Sequence, residues 1–170
     1  AEYADVEFKN CTSDGVILIG GNAGGFIAES KSYTDISFTN CVSDMDLDMS
    51  IRSQTHDVGG LVGYAKGNIT ADLIAVSGIM DLGANSHNAT RSSGGVVGHW
   101  NSESTSNMLS IDNCNVYVSV ISTRAVITGG IVGYVSSSAK SIDLNNCLFE
   151  GSIEYPVSNN NAKASVRFNT

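Results

Sequence analysis

Hydrophobic and polar residues alternate in short runs that recur along the whole chain. In one kind of run every second residue is apolar, as in Val6 and Phe8 near the start. A second kind follows it, and is clearest where Leu47, Met49 and Ile51 alternate with acidic and polar neighbours. A period of two predicts a strand with one buried face and one solvated face. The chain is therefore predicted to consist largely of half-buried strands.

A third kind of run has two glycines followed by two apolar residues. Its four copies are Gly24-Gly25-Phe26-Ile27, Gly59-Gly60-Leu61-Val62, Gly94-Gly95-Val96-Val97 and Gly129-Gly130-Ile131-Val132. They begin at residues 24, 59, 94 and 129, a constant spacing of 35 residues. A constant period of this size indicates one copied unit that buries its apolar face against its neighbours. Each glycine pair is expected at a corner that needs either a positive φ or a close backbone approach.

Three runs in each period predict one coil of a parallel β-helix, or β-solenoid. The fold class is therefore all-β, with about four to five coils of about 35 residues and three short strands in each coil. We expect a single solenoid domain over residues 1–157, followed at residues 158–170 by a polar linker and a terminal strand. The predicted repeats are residues 4–34, 35–69, 70–107 and 108–140, with a partial repeat at 141–157.

The glycine-rich segments also carry a family resemblance. Gly-Gly-Leu-Val-Gly-Tyr at residues 59–64 and its copies resemble the GLUG motif, named for Gly-Leu-any-Gly, which occurs in tandem in bacterial and protist surface proteins. The resemblance covers nearly the whole chain, although Ala28 replaces the last glycine of the first copy. It implies a β-helical extracellular repeat region at the cell surface, often in a stalk or adhesin. The family has no catalytic residues to carry over.

Charge and hydropathy exclude two classes of partner. The 170 residues include 17 acidic and 9 basic ones, for a net charge of −8, and the basic residues are dispersed singly. Nucleic acid is therefore not expected as a partner, because phosphate binding needs a clustered basic surface. No apolar stretch approaches the roughly 20 residues that span a bilayer, so direct membrane insertion is not expected either. No motif indicates a cofactor.

All four cysteines follow an asparagine, in Asn10-Cys11, Asn40-Cys41, Asn113-Cys114 and Asn146-Cys147. Asparagine tolerates the left-handed backbone of a corner, and its amide can bond to the equivalent amide of the next coil, so an asparagine ladder is predicted. The third repeat has Ile74-Ala75 near that place. This leaves two neighbouring cysteine pairs, and disulfides Cys11–Cys41 and Cys114–Cys147 are predicted. Stacked free thiols in the core are the alternative.

Three sequons make Asn10, Asn68 and Asn88 candidates for N-glycosylation, given a eukaryotic source.

Asp44, Asp46 and Asp48 alternate along one strand and are expected to share its outer face. Such carboxylates are weak candidates for a Ca²⁺ site, and a solvated acidic stripe is favoured over a metal centre.

Tyr64, His99 and Tyr134 occupy the same position in successive repeats, and Trp100 follows His99. Their rings are expected to form a column. Such a column, together with Trp100, is either a glycan-binding platform or, as favoured here, a structural ladder over the turn. The three histidines lie in different repeat phases, with no companion motif for a nucleophile and base pair.

The sequence therefore favours a non-enzymatic structural or adhesive module. A polysaccharide-degrading β-helix enzyme is the rival hypothesis, but such an enzyme needs paired carboxylates in a groove. A carbohydrate-binding module is the third hypothesis.

A solenoid has open strand edges at both ends unless it is capped. Strands with Val6 and Phe8 at one end and Val166 and Phe168 at the other predict head-to-tail association with copies of the chain or with adjoining domains. An intramolecular cap is the alternative.

Overall fold

A computed structural model describes residues 4–18, 20–48, 56–83, 92–102, 104–122, 127–136 and 141–154. Every regular element in these ranges is a β-strand, and every strand pairing is parallel. The strands of the described residues follow one another in five successive coils, and the described part of the fifth ends at Glu154.

The first coil contains β1 (Ala4–Lys9), β2 (Thr12–Leu18), β3 (Ala23–Gly24) and β4 (Ile27–Glu29). The second contains β5 (Thr34–Asp48), β6 (Val58–Gly59) and β7 (Val62–Ala65), and the third contains β8 (Ile69–Asp81), β9 (Ser92–Gly94) and β10 (Val97–Trp100). The fourth contains β11 (Met108–Ile121), β12 (Ile127–Gly129) and β13 (Val132–Val135). The fifth contains β14 (Ser141–Asn145), β15 (Leu148–Phe149) and β16 (Ser152–Glu154).

Equivalent strands of successive coils form three parallel sheets. The largest runs β1-β5-β8-β11-β14, with β2 beside β5 and with β15 and β16 beside β11. The two smaller sheets run β3-β6-β9-β12 and β4-β7-β10-β13. This arrangement is a parallel β-solenoid of about four turns, so the predicted fold class is confirmed.

The structure divides each coil slightly differently from the three separate strands predicted. In the middle coils the first two runs form one long strand that bends at a residue with positive φ, such as Asn40 in β5. The third run is split into two short strands on either side of the glycine pair, as in β6 and β7.

Close approach of the backbone explains the glycine pairs. None of the paired glycines has a positive φ. A Cβ on Gly60 would collide with the carbonyl oxygen of Gly95 and with Cγ1 of Val76, both in the next coil. The corner is therefore packed too tightly for any side chain. Of the two explanations that the sequence allowed, a positive φ and a close backbone approach, the structure supports the second.

The core runs without interruption along the axis of the solenoid. Ile36, Ile69 and Leu109 lie in register in successive coils and are almost fully buried. Their equivalents in the end coils are half-buried Val6 and exposed Ile142. Burial is therefore complete in the middle of the described stack and incomplete at its two ends.

Candidate functional site

The first coil and the last two coils contain apolar side chains that pack against the core but are only half-buried. In the first coil these half-buried residues are Phe8, Cys11, Ile17, Phe26 and Ile27. In the fourth and fifth coils they are Ile131, Val132, Val135, Leu144, Cys147, Phe149 and Ile153. Within the part of the chain that the structure describes, no further strand pairs with the outer edge of β1 or of β14. The predicted terminal strand with Val166 and Phe168 lies outside the described residues.

An aromatic cluster fills the first end of the core. The rings of Phe8 and Phe38 are stacked, with centroids 5.0 Å apart and planes within 9°. Phe26 packs edge-on against both, at 5.2 Å from Phe8 and 5.6 Å from Phe38. Because Phe8 and Phe26 belong to the first coil, this end presents an ordered aromatic surface.

A column of rings lies on the outer face of the sheet formed by β4, β7, β10 and β13. His99 is in register with Tyr64 on one side and Tyr134 on the other, so the predicted column is confirmed. The ring centroids lie 4.9 Å and 4.8 Å from that of His99, both in edge-to-face arrangements. Glu29, which the sequence analysis did not single out, extends the same row in the first coil.

The prediction that Trp100 belongs to the ring platform is wrong. Trp100 is fully buried, and its Nε1 donates a hydrogen bond to the carbonyl oxygen of Gly67 at 2.7 Å. The reason is the alternation of β10, in which neighbours in sequence point to opposite faces of the sheet. His99 faces outward, so Trp100 must face the core.

Asp57 is the polar centre of this surface, and the sequence analysis missed it. One carboxylate oxygen accepts hydrogen bonds from the amide and the hydroxyl of Ser92, and the other lies 3.1 Å from Nδ1 of His99. The amide of Asp57 in turn donates to Oδ1 of Asn22 at 3.0 Å. Asn22, Asp57 and Ser92 are spaced by 35 residues, so the repeat period could have identified this ladder.

This cluster resembles a catalytic triad in composition but not in geometry. The hydroxyl of Ser92 donates to Asp57 and not to His99. Nε2 of His99 is buried and has no hydrogen-bond partner among the described residues. A nucleophile must lie within hydrogen-bond reach of its base, and here the two groups share a carboxylate instead. The contacts therefore hold the ring column in place.

The asparagine ladder is present at the bend of the large sheet. Asn10, Asn40, Asn113 and Asn146 all have φ between 49° and 55°. Nδ2 of Asn40 donates to Oδ1 of Asn10 at 2.7 Å, and Nδ2 of Asn146 donates to Oδ1 of Asn113 at 3.3 Å. In the third coil Leu73 takes this position, with a φ of 56°, and Ile74 takes the position of the cysteines.

The four cysteines are free thiols, so the predicted disulfides Cys11–Cys41 and Cys114–Cys147 are not formed in the structure. The alternative of stacked thiols is the observed one. Parallel strands in register hold equivalent residues about 4.8 Å apart, which is wider than the usual Cβ separation of a disulfide. The thiols donate to backbone carbonyl oxygens instead, as Cys41 does to Thr39 at 3.4 Å.

The Cys114 and Cys147 thiols interact with each other. A hydrogen bond with Cys147, together with burial, raises the pKa of Cys114 far above its usual range. The same hydrogen bond, donated by Cys114, lowers the pKa of Cys147 to about 7, although burial opposes this shift. Cys147 is therefore the member of the pair that ionises first.

Asp44 and Asp46 lie on the outer face of β5, as predicted, and both are exposed, whereas Asp48 is half-buried. The hydroxyl of Ser77 donates to Asp44 at 2.7 Å, and the amide of Ile79 donates to Asp46 at 2.9 Å. No group of three or more acidic, histidine or cysteine side chains in the described ranges could hold a metal ion. The structure therefore adds no support for Ca²⁺ at this stripe.

The sequons differ in their surroundings. Nδ2 of Asn68 donates to Asp35 at 2.8 Å, and its Oδ1 accepts from the amide of Met108 at 2.7 Å. Oδ1 of Asn10 is engaged in the ladder, and Asn88 lies outside the described residues. A glycan on Asn68 would leave its Nδ2 with a single N–H for the hydrogen bond to Asp35. Glycosylation stays a prediction.

A shallow groove crosses the outer face of the large sheet near the first coil. Its lining includes Asp5, Glu7 and Asp35, which lie on neighbouring strands β1 and β5. Asp35 is held by Asn68.

The fold and these surfaces define a parallel β-solenoid built from a 35-residue repeat. Comparisons with protein-family models, with curated proteins and with solved structures found no match for the chain. Among the described residues there is no helix of the length and apolarity needed to cross a membrane.

Proposed function

We propose that this chain is a non-enzymatic structural module of an extracellular fibre, stalk or surface protein, and that it associates end to end. The observation that carries the proposal is the contrast in burial along one core. Leu109 in the fourth coil is fully buried, whereas Ile142, its neighbour in the fifth, is 38% exposed. Stacking another coil on this end would remove that apolar surface from water, which is favourable.

Both ends also carry unpaired backbone groups along β1 and β14 within the described stack. Open parallel edges recruit further strands unless they are covered. Because the two ends are different surfaces, a contact between them is heterologous and propagates into a filament. The resemblance of the glycine-rich segments to tandem surface repeats supports an extracellular setting, in which the partner is either a second copy or an adjoining solenoid domain.

The proposal is tested with two separate variants, each of which replaces one isoleucine of similar exposure with lysine. Ile142 is 38% exposed on the end of the stack, and Ile79 is 44% exposed on the side of the stack in β8. Ile142→Lys should abolish the concentration-dependent association measured by multi-angle light scattering, whereas Ile79→Lys should leave it unchanged. Wild-type chains that remain monomeric at high concentration would overturn the proposal.

Carbohydrate binding at the ring column is the second candidate function. Tyr134 is 39% exposed, and Asn101 lies beside the column, donating to the hydroxyl of Tyr64 at 2.7 Å. An exposed ring next to amide and carboxylate groups is a surface on which a sugar can stack and bond. A glycan array that gives a signal with the wild type and none with Tyr134→Ala supports this function. A reducing-sugar assay separates it from polysaccharide cleavage.

A further inference from the structure

We infer that a second copy stacks its first coil on the fifth coil of this chain in the same register that joins the chain's own coils. This inference rests on the proposed end-to-end association and specifies its geometry. In this register Asn146 lies beside Asn10 of the next copy, and Cys147 lies beside Cys11 of the next copy.

The backbone supports this register because the two end coils have the same bend. Asn146 has a φ of 50° and Asn10 a φ of 55°. The chain already pairs this position across a coil boundary at one end, where the amide of Asn40 donates to Asn10. At the other end the pair is Asn146 and Asn113. The junction would therefore continue an interface that the fold uses between its own coils.

The apolar columns match across the junction in the same register. Ile142 belongs to the column that begins with Val6, and Leu144 belongs to the column that begins with Phe8. The proposed stacking places apolar side chains against apolar ones in both columns. A shift by one residue would instead place Asp143 beside Val6 or Phe8, which face the core, because side chains on a strand alternate between its two faces.

The same register makes one unfavourable contact. Asp143 lies on the outer face of β14, in the row that contains Ser110, Thr70, Ser37 and finally Glu7 in β1. Stacking places the carboxylate of Asp143 next to that of Glu7 of the next copy, which forms an ion pair with Lys9 at 3.2 Å. Because Lys9 offsets part of the repulsion between the two carboxylates, the junction is expected to strengthen only slightly when salt screens these charges.

Cysteine positions make the register measurable. Cys11 and Cys147 occupy the same column at opposite ends of one chain, four coil steps and therefore about 19 Å apart. In the proposed junction they are one coil step, or about 5 Å, apart. A short reagent that joins two thiols can therefore link Cys11 to Cys147 only between copies.

The experiment uses the full chain with Cys41→Ser and Cys114→Ser, treated with dibromobimane while association is followed by light scattering. Each thiolate displaces one bromide, so two thioether bonds form and two bromide ions leave. We expect a ladder of covalent oligomers on a denaturing gel, with Cys11 linked to Cys147 by peptide mapping. Adding either Cys11→Ser or Cys147→Ser should abolish the ladder. If the serine variant does not fold, peptide mapping of the cross-linked wild-type chain can identify the same link between Cys11 and Cys147.

The possible failures are distinguishable. Chains that associate without a Cys11–Cys147 link would overturn the register and leave the proposed function standing. Dimers that persist with Cys147 alone would show that the contact is tail to tail, which also overturns the register. A wild-type chain that stays monomeric, whether capped by residues 158–170 or for another reason, would overturn both inferences.

Discussion

Leu73 occupies the corner that Asn40 occupies one coil earlier, with nearly the same left-handed backbone. The two φ values are 56° and 52°. The left-handed region costs a residue with a Cβ roughly 1–2 kcal/mol, and asparagine is among the residues that visit it most readily. The leucine side chain is also 54% exposed, so it gains little from packing.

Leu73→Asn is therefore expected to stabilise the fold by about 1 kcal/mol. Urea unfolding followed by circular dichroism measures the change. Leu148→Asn is the matched control, because Leu148 is 43% exposed but has no positive φ, and it should give no gain. A Leu73→Asn chain no more stable than the wild type would show that the corner is not strained.

Gly60→Ala tests the close approach at the glycine corner. Its Cβ would meet the Gly95 carbonyl oxygen, which cannot move without disturbing the neighbouring coil. We expect a loss of about 2–3 kcal/mol in the free energy of unfolding, as for overpacked cores. Gly21→Ala is the control, since a Cβ there meets nothing within 4 Å. Equal stability of the two variants would contradict the packing argument.

Cys147 should be the most reactive of the four thiols, because the hydrogen bond from Cys114 lowers its pKa to about 7. The thiolate is the nucleophile, so the rate of alkylation by iodoacetamide should rise as pH increases through about 7. Mass spectrometry of the alkylated peptides measures each site. Cys114→Ala removes the hydrogen-bond donor and should move the midpoint upward. An unchanged midpoint in that variant would contradict the assigned cause.

Asp143→Asn should strengthen association at low salt by less than about four-fold, because it removes one of two carboxylates about 5 Å apart across the junction, and Lys9 already offsets part of their repulsion by pairing with Glu7. The gain should shrink as salt is added. Sedimentation equilibrium measures the association constant. Asp46→Asn removes an exposed charge on the side of the stack and should have no such effect. An equal gain in the association constant for both variants would indicate a general effect of net charge and would contradict the proposed contact between Asp143 and Glu7.

The 35-residue period predicted the fold because nearly every contact in a solenoid lies between equivalent positions of adjacent coils. The asparagine ladder and the row of Tyr64, His99 and Tyr134 followed from the same logic. The face of Trp100 follows from the alternation of β10, because residues adjacent in a strand, such as His99 and Trp100, lie on opposite faces of the sheet.

Other features depend on distances that a sequence does not contain. Whether Gly60 needs a positive φ or a close approach is visible only in its contacts with the next coil. The thiol state of Cys11 and Cys41 depends on the separation between two strands, not on their shared position. The link between Asp57 and His99 joins residues in different phases of the repeat, so no periodic pattern identifies it.

The most direct test of the end-to-end account is small-angle X-ray scattering over a series of protein concentrations. The account predicts that the longest dimension grows with concentration while the radius of gyration of the cross-section stays constant, because coils add only along the axis. A cross-section that grows with concentration would show lateral association, and a longest dimension that matches a single copy at every concentration would show a monomer. Either result would contradict the central claim.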